Sequence, residues 1–119
     1  MDKSSILLVE DDPLLRDALK KILSVNDFLV FPTSNGAEAL SLMEIVQPDL
    51  IISDIQMPEM DGFKFFETVR GRMDWLAIPF IFLTTRDNDQ DMIMEKSLGA
   101  EDYLVKPINQ EELVITVRA

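Results

Sequence analysis

The sequence predicts an α/β fold, a parallel five-stranded sheet with helices on both faces. Three observations carry that expectation. Short apolar runs alternate with amphipathic helical segments five times along the 119 residues. The runs are continuous rather than alternating with polar residues, as in strands covered on both faces. No linker, repeat or low-complexity segment divides the chain, so residues 1–119 read as one domain with length enough for a substantial core.

The first strand, β1, is Ser5–Val9. Asp12 can cap the next helix, with Pro13 at its first position, where a missing N–H costs nothing. In that helix, α1, Leu15, Ala18, Leu19, Ile22 and Leu23 recur at helical spacing and mark one buried face. Phe28–Thr33 reads as β2, and Pro32 inside it places that strand at a sheet edge. Ser34-Asn35-Gly36 turns the chain into α2, which carries Ala39, Leu42, Met43 and Val46 on one face and ends at Gln47-Pro48-Asp49. β3 begins at Leu50-Ile51-Ile52, passes Ser53 and Asp54, and runs into the turn residues Met57-Pro58-Glu59-Met60-Asp61-Gly62.

After that turn, α3 carries Phe63, Phe66, Val69, Arg70 and Met73 roughly in register. Ala77–Leu83 is β4, entered through Pro79 and ending at Thr84-Thr85. α4 is expected over about Asp89–Leu98, with Gly99 suited to the position after a helix end. Its consecutive Met92, Ile93 and Met94 cannot all face a core, so one of them is expected at the surface, as a partner contact or as a scattered apolar residue. Tyr103–Val105 is β5, followed by Lys106-Pro107. α5 begins near Asn109, carries Leu113, Val114 and Val117 as its stripe, and is still running at Ala119, which reads either as a domain cut from a longer protein or as one that stands alone with its output made by partner binding. Right-handed crossovers put β1, β3 and β4 in the centre and give the order 2-1-3-4-5, the flavodoxin-like (βα)5 three-layer sandwich.

Composition narrows the chemistry. The chain has no cysteine and no histidine, which excludes disulfides, thiolate and imidazole metal sites, Ser-His triads and a phosphohistidine of its own. Its 22 acidic and 11 basic residues give a net charge of −11, and the bases do not cluster, so direct nucleic-acid binding is not expected. The apolar runs are far too short to span a bilayer, and the start of the chain has no signal-peptide pattern. A cytoplasmic location without membrane association is expected.

In a parallel sheet all strand ends point to one edge. Glu10 and Asp11 follow β1, Asp54 ends β3 with Gln56 two residues on, Thr84 and Thr85 follow β4, and Lys106 follows β5. The fold thus gathers three carboxylates, hydroxyls and one ammonium. Carboxylates placed together need a cation, and oxygen donors without nitrogen or sulfur select a hard ion such as Mg²⁺. Such a site points to phosphoryl chemistry: a carboxylate can act as nucleophile, while Lys106 and the ion neutralise charge and Thr84 donates a hydrogen bond.

Four blocks in this order, Leu8-Val9-Glu10-Asp11-Asp12, Asp54 with Met57-Pro58 and Met60-Asp61-Gly62, Leu83-Thr84, and Gly99 through Pro107, resemble the receiver domain of bacterial two-component response regulators over essentially the whole chain. The resemblance implies a signalling domain rather than an enzyme, with Asp54 as phospho-acceptor from a phosphohistidine. It implies Asp11 as a direct Mg²⁺ ligand, Glu10 holding the ion through water, and Gln56 offering its backbone carbonyl. It also implies Thr84 and Tyr103 as a switch pair, Lys106 on the phosphoryl group, and a cis Lys106–Pro107 peptide. The implied partners are a sensor histidine kinase or histidine phosphotransfer protein, an output domain or partner protein, and a second copy of the chain, through the face formed by α4, β5 and α5. Glu10 stands where many relatives have Asp, and Thr85 where a small residue is common. Thr85, Arg86 and Gln56 occupy places that would flank the phosphoryl group.

Three other readings compete. A receiver-like interaction module regulated without phosphorylation is the nearest, kept open by Thr85. A flavin carrier of the same fold needs a hydroxyl- and glycine-rich loop after β1, where Glu10-Asp11-Asp12 would repel a phosphate. A Mg²⁺-dependent phosphohydrolase usually has a second acid two residues after its nucleophile, where this chain has Gln56.

Overall fold

Residue parity along each strand decides which layer a side chain joins. A computed structural model of the chain describes residues 3–57, 59–84 and 102–118. Its strands are β1 Ser5–Val9, β2 Leu29–Thr33, β3 Leu50–Asp54, β4 Phe80–Thr84 and β5 Asp102–Val105, all parallel in the order β2-β1-β3-β4-β5. The edge position expected of β2 from Pro32 is the observed one. Leu7, Val9, Ile51, Phe80 and Phe82 point to one face and pack with Ala39, Met43, Phe63, Phe65, Phe66 and Val69. Ile6, Leu8, Ile52, Ile81 and Leu83 point to the other and pack with Leu19, Leu23, Leu104 and Leu113. Every residue of β3 and β4 is buried, which explains why their sequences show no polar alternation.

The helices are α1 Pro13–Val25, α2 Gly36–Met43, α3 Gly62–Arg70 and α5 Gln110–Arg118. Each begins at a side-chain cap: Asp12 accepts from the Leu14 amide, Asn35 from Glu38, Asp61 from Lys64 and Asn109 from Glu112. The expected α4, with Met92, Ile93, Met94 and Gly99, lies outside the described residues, as do Pro58, Thr85 and Arg86. Among the described residues, no helix is long and apolar enough to cross a membrane.

Several boundaries differ from the sequence expectation: α2 ends at Met43, before the expected Val46, and β5 begins at Asp102, one residue before Tyr103. α3 ends at Arg70, because Gly71 closes the helix with its N–H on Glu67 and Thr68. Met73, expected on the α3 stripe, therefore falls in a 3₁₀ turn, Met73–Trp75, and is 92% exposed. The apolar place is filled instead by Trp75, buried in the first core with the Arg72 guanidinium 3.9 Å over its ring. β4 begins at Phe80 rather than Ala77, since residues 76–79 complete the turn after Trp75 and Arg70 ties the Ile78 carbonyl at 2.8 Å. β2 begins at Leu29, one residue after the expected Phe28, which packs instead against the second core.

Candidate functional site

The carboxyl ends of β1, β3, β4 and β5 meet as the parallel order requires. Glu10 extends β1 by one rung, its N–H on the Thr33 carbonyl at 3.1 Å. Its side chain turns inward and is fully buried. Glu10 Oε2 accepts from the Asp12 amide at 3.1 Å, and Oε1 lies 3.0 Å from the Lys106 ammonium. Asp54, at the end of β3, is also buried; its Oδ1 accepts from the Ile55 amide at 2.8 Å and its Oδ2 lies 3.1 Å from Lys106 Nζ. One ammonium thus bridges two buried carboxylates.

Lys106 is aimed there by its backbone, whose N–H donates to the Thr84 carbonyl at 2.7 Å. The Lys106–Pro107 peptide that follows is cis. Thr84, the last residue of β4, is buried beside Val105 in the register. Tyr103 stands opposite Phe82 on the edge strand and packs, half-buried, against the first core. Gln56 is exposed two residues past β3.

Asp11 differs from its neighbours. It is exposed, and no hydrogen bond or ion pair holds its carboxylate among the described residues, yet one of its oxygens comes within 4.8 Å of ligand oxygens of both Glu10 and Asp54. Among the described residues, Lys106 is the cation paired with Glu10 and Asp54. Burial pushes the Glu10 carboxyl up to about 7; the Asp12 amide and Lys106 pull it down, and Asp54 adds to the rise. Burial likewise raises Asp54, with Lys106, Glu10 and the Ile55 amide holding part of the rise back. Lys106 is raised too, because its two carboxylates outweigh its own burial. Both carboxyls are raised because burial outweighs the lysine and amide contacts that favour their charged forms; an all-oxygen cluster with one unengaged carboxylate suits a hard divalent cation.

Two contributors carry no obvious signal in the sequence. Arg16 on α1 donates to the Glu10 carbonyl at 2.9 Å. Gly62 brings the turn after β3 against the Asp54–Ile55 backbone, its N–H on the Ile55 carbonyl at 2.7 Å. A β-carbon there would lie 2.2 Å from the Asp54 carbonyl oxygen. The Asp-Gly pair signals a turn, but nothing in it signals the close approach.

Residues 6–118 match the family model described as the response regulator receiver domain. The sensory transduction protein BceR of Halalkalibacterium halodurans is 38% identical over 114 residues, which cover 96% of this chain and 48% of that protein. The chain spans about half the length of the curated relatives it matches. The chemotaxis response regulator CheY4 of Vibrio cholerae has a similar structure, with TM-score 0.90, 33% identity, and coverage of 98% of this chain and 97% of that one. The receiver domain of sensor histidine kinase PA1611 from Pseudomonas aeruginosa PAO1, with a magnesium ion coordinated in its active site cleft, gives TM-score 0.87 at 28% identity, covering 98% of this chain and 96% of that one.

Proposed function

Because the chain belongs to the response regulator receiver domain family of two-component signalling, we propose that Asp54 is its phosphoryl acceptor. The observation that carries this reading is the buried Asp54 carboxylate, held by the Ile55 amide on one oxygen and Lys106 on the other, beside the unengaged Asp11. An Asp54 oxygen attacks the phosphorus of a phosphohistidine donor. The phosphorus–nitrogen bond breaks, the imidazole leaves with its electron pair, and Asp54 becomes an acyl phosphate.

Lys106, already 3.1 Å from Asp54, is placed to follow the charge onto the phosphoryl oxygens. Thr84 supplies a hydroxyl at the end of the adjacent strand. Asp11 and Asp54 would hold Mg²⁺, with Glu10 acting through water and Gln56 through its carbonyl. When bound, that ion would offset charge on the phosphoryl group. PA1611 supports this assignment by its own magnesium. Glu10 is engaged on both oxygens, which favours Asp11 as the direct ligand.

The added phosphoryl group would draw Thr84 toward it and let Tyr103 turn inward, biasing the face that includes β5 and α5 toward an output domain, partner protein or second copy. Residues 1–119 act in this reading as one receiver domain, served by a histidine kinase or phosphotransfer protein in the cytoplasm.

The test is incubation with Mg²⁺ and acetyl phosphate, or with beryllofluoride, read by intact mass and NMR. Wild type should gain one phosphoryl group and Asp54→Asn none. An unmodified wild type with Mg²⁺ bound would leave the interaction module regulated without phosphorylation as the better reading.

A further inference from the structure

Arg16 stands where the helix dipole disfavours it. It lies at the fourth position of α1, near the positive end, where an acid would be the stabilising choice and where the first turn holds no acid. Something other than helix stability therefore accounts for a half-buried cation there. Its Nη1 donates to the Glu10 carbonyl at 2.9 Å, across six residues of chain.

The bond completes a set. The Glu10 N–H is on Thr33, its carbonyl on Arg16, and one carboxylate oxygen on the Asp12 amide, while the other is held by the Lys106 ammonium as an ion pair rather than a hydrogen bond. Asp12 is fixed in turn as the α1 cap, and its carbonyl accepts from the Arg16 amide at 2.9 Å. Arg16 thus ties both ends of the three-residue turn, one through its backbone and one through its side chain. Asp11 sits between the two tied residues with its own carboxylate unheld.

From this we infer that Arg16 is a positioning residue for the cation site: it fixes the β1–α1 turn so that Asp11 stays over Asp54. The inference rests on the Mg²⁺ reading above and adds a residue to it.

The sign of one measurement separates positioning from charge. A guanidinium near a cation site repels the cation, so if Arg16 acted only through its charge, removing it would tighten Mg²⁺ binding. If it positions the turn, removing it weakens binding. Losing an outer partner of a metal site costs about tenfold or more in affinity, so Arg16→Met is expected to raise the Mg²⁺ dissociation constant about tenfold. Arg16→Lys keeps the charge and a shorter donor and should lie between the two.

The experiment is Mg²⁺ titration followed by calorimetry and by the NMR shift of the Ile55 amide, which is bonded to Asp54. Urea unfolding of the metal-free proteins accompanies it. Arg16→Met binding as tightly as wild type, or more tightly, overturns the inference; a loss of stability with an unchanged dissociation constant makes Arg16 merely structural and overturns it too. Should Arg16→Met not fold, Arg16→Lys decides: several-fold weaker binding supports positioning and wild-type affinity overturns it. A wild type that shifts no Ile55 resonance with Mg²⁺ sinks the cation site itself, a separate failure.

Discussion

Gly62→Ala sets two effects of opposite sign against each other. Gly62 is the first residue of α3, and alanine in a helix is favoured over glycine by up to about 1 kcal/mol. Propensity alone therefore predicts a more stable protein. Sterics predict the reverse: the new β-carbon would sit 2.2 Å from the Asp54 carbonyl oxygen and 2.7 Å from the Ile55 α-carbon. Both are backbone atoms, one at the end of the central β3 strand and one in the residue that follows it, and neither can rotate away as a side chain can. Relief requires a shift of about 1 Å between turn and strand, and overpacking of this kind costs about 1–3 kcal/mol. The 2.7 Å bond from Gly62 N–H to Ile55 would stretch as well, adding about 1 kcal/mol. The steric cost wins, and a net loss of about 1–4 kcal/mol is expected from urea unfolding.

The displaced backbone is that of Asp54, so function should fall with stability. A misplacement of about 1 Å can cost about 100-fold in rate, and phosphorylation by acetyl phosphate should slow on that scale even where the variant is fully folded. Two glycines serve as controls. At Gly36 the added carbon would meet the flexible Met60 thioether at 2.7 Å, which can move, so a cost of about 1 kcal/mol or less is expected. At Gly71 the nearest atoms are at 3.4 Å and the backbone is helical, so alanine should be neutral or stabilising by up to about 1 kcal/mol. Gly62→Ala as stable as wild type, or all three variants losing stability alike, would refute the reasoning.

The buried carboxyls predict how stability depends on pH. Glu10 titrates at about 7 in the folded protein against 4.5 ordinarily, so the folded state binds its proton more tightly than the unfolded state does. The metal-free domain should gain stability as pH falls from about 7 toward 5, by up to about 3 kcal/mol from this group, and Mg²⁺ should stabilise it more at pH 8 than at pH 5.5; denaturant titrations at several pH values check the slope, and a flat profile would contradict it. Lys106→Met leaves Glu10 and Asp54 facing each other without their cation, so it should lose about 2–4 kcal/mol at pH 8 and much less at pH 5.5, where the pair takes up a proton instead. The same variant should bind Mg²⁺ more tightly while slowing phosphorylation, and a weaker Mg²⁺ affinity would argue against Lys106 occupying cation space.

The sheet was legible because each strand is a continuous apolar run ended by a turn or cap, and Pro32 placed one edge. The convergence of Glu10, Asp11, Asp54 and Lys106 followed from parallel topology alone, since that topology sends every strand end to one side. Less legible was the end of α3. Met73 continues the helical spacing of Phe66, Val69 and Arg70, and periodicity cannot show that Gly71 stops the helix and Trp75 takes the apolar place. Arg16 was illegible for another reason: its partner is a backbone carbonyl, and any residue presents one.

Glu10 and Asp11 are adjacent acids that composition cannot tell apart. The Glu10 side chain turns inward, accepts from the Asp12 amide on one oxygen and pairs with Lys106 through the other, so both oxygens are spent inside the protein. Asp11, a residue further on and exposed, keeps both of its oxygens. Because Glu10 already anchors Lys106, a cation arriving beside Asp54 competes for that lysine's partners and does not find them vacant. It follows that shortening the anchor, as in Glu10→Asp, should loosen the hold on Lys106 and leave two short carboxylates nearer the ion. Mg²⁺ should then bind several-fold more tightly by calorimetry, while the metal-free domain loses stability; tighter Mg²⁺ binding without that loss would mean that Glu10 does not anchor the lysine in solution.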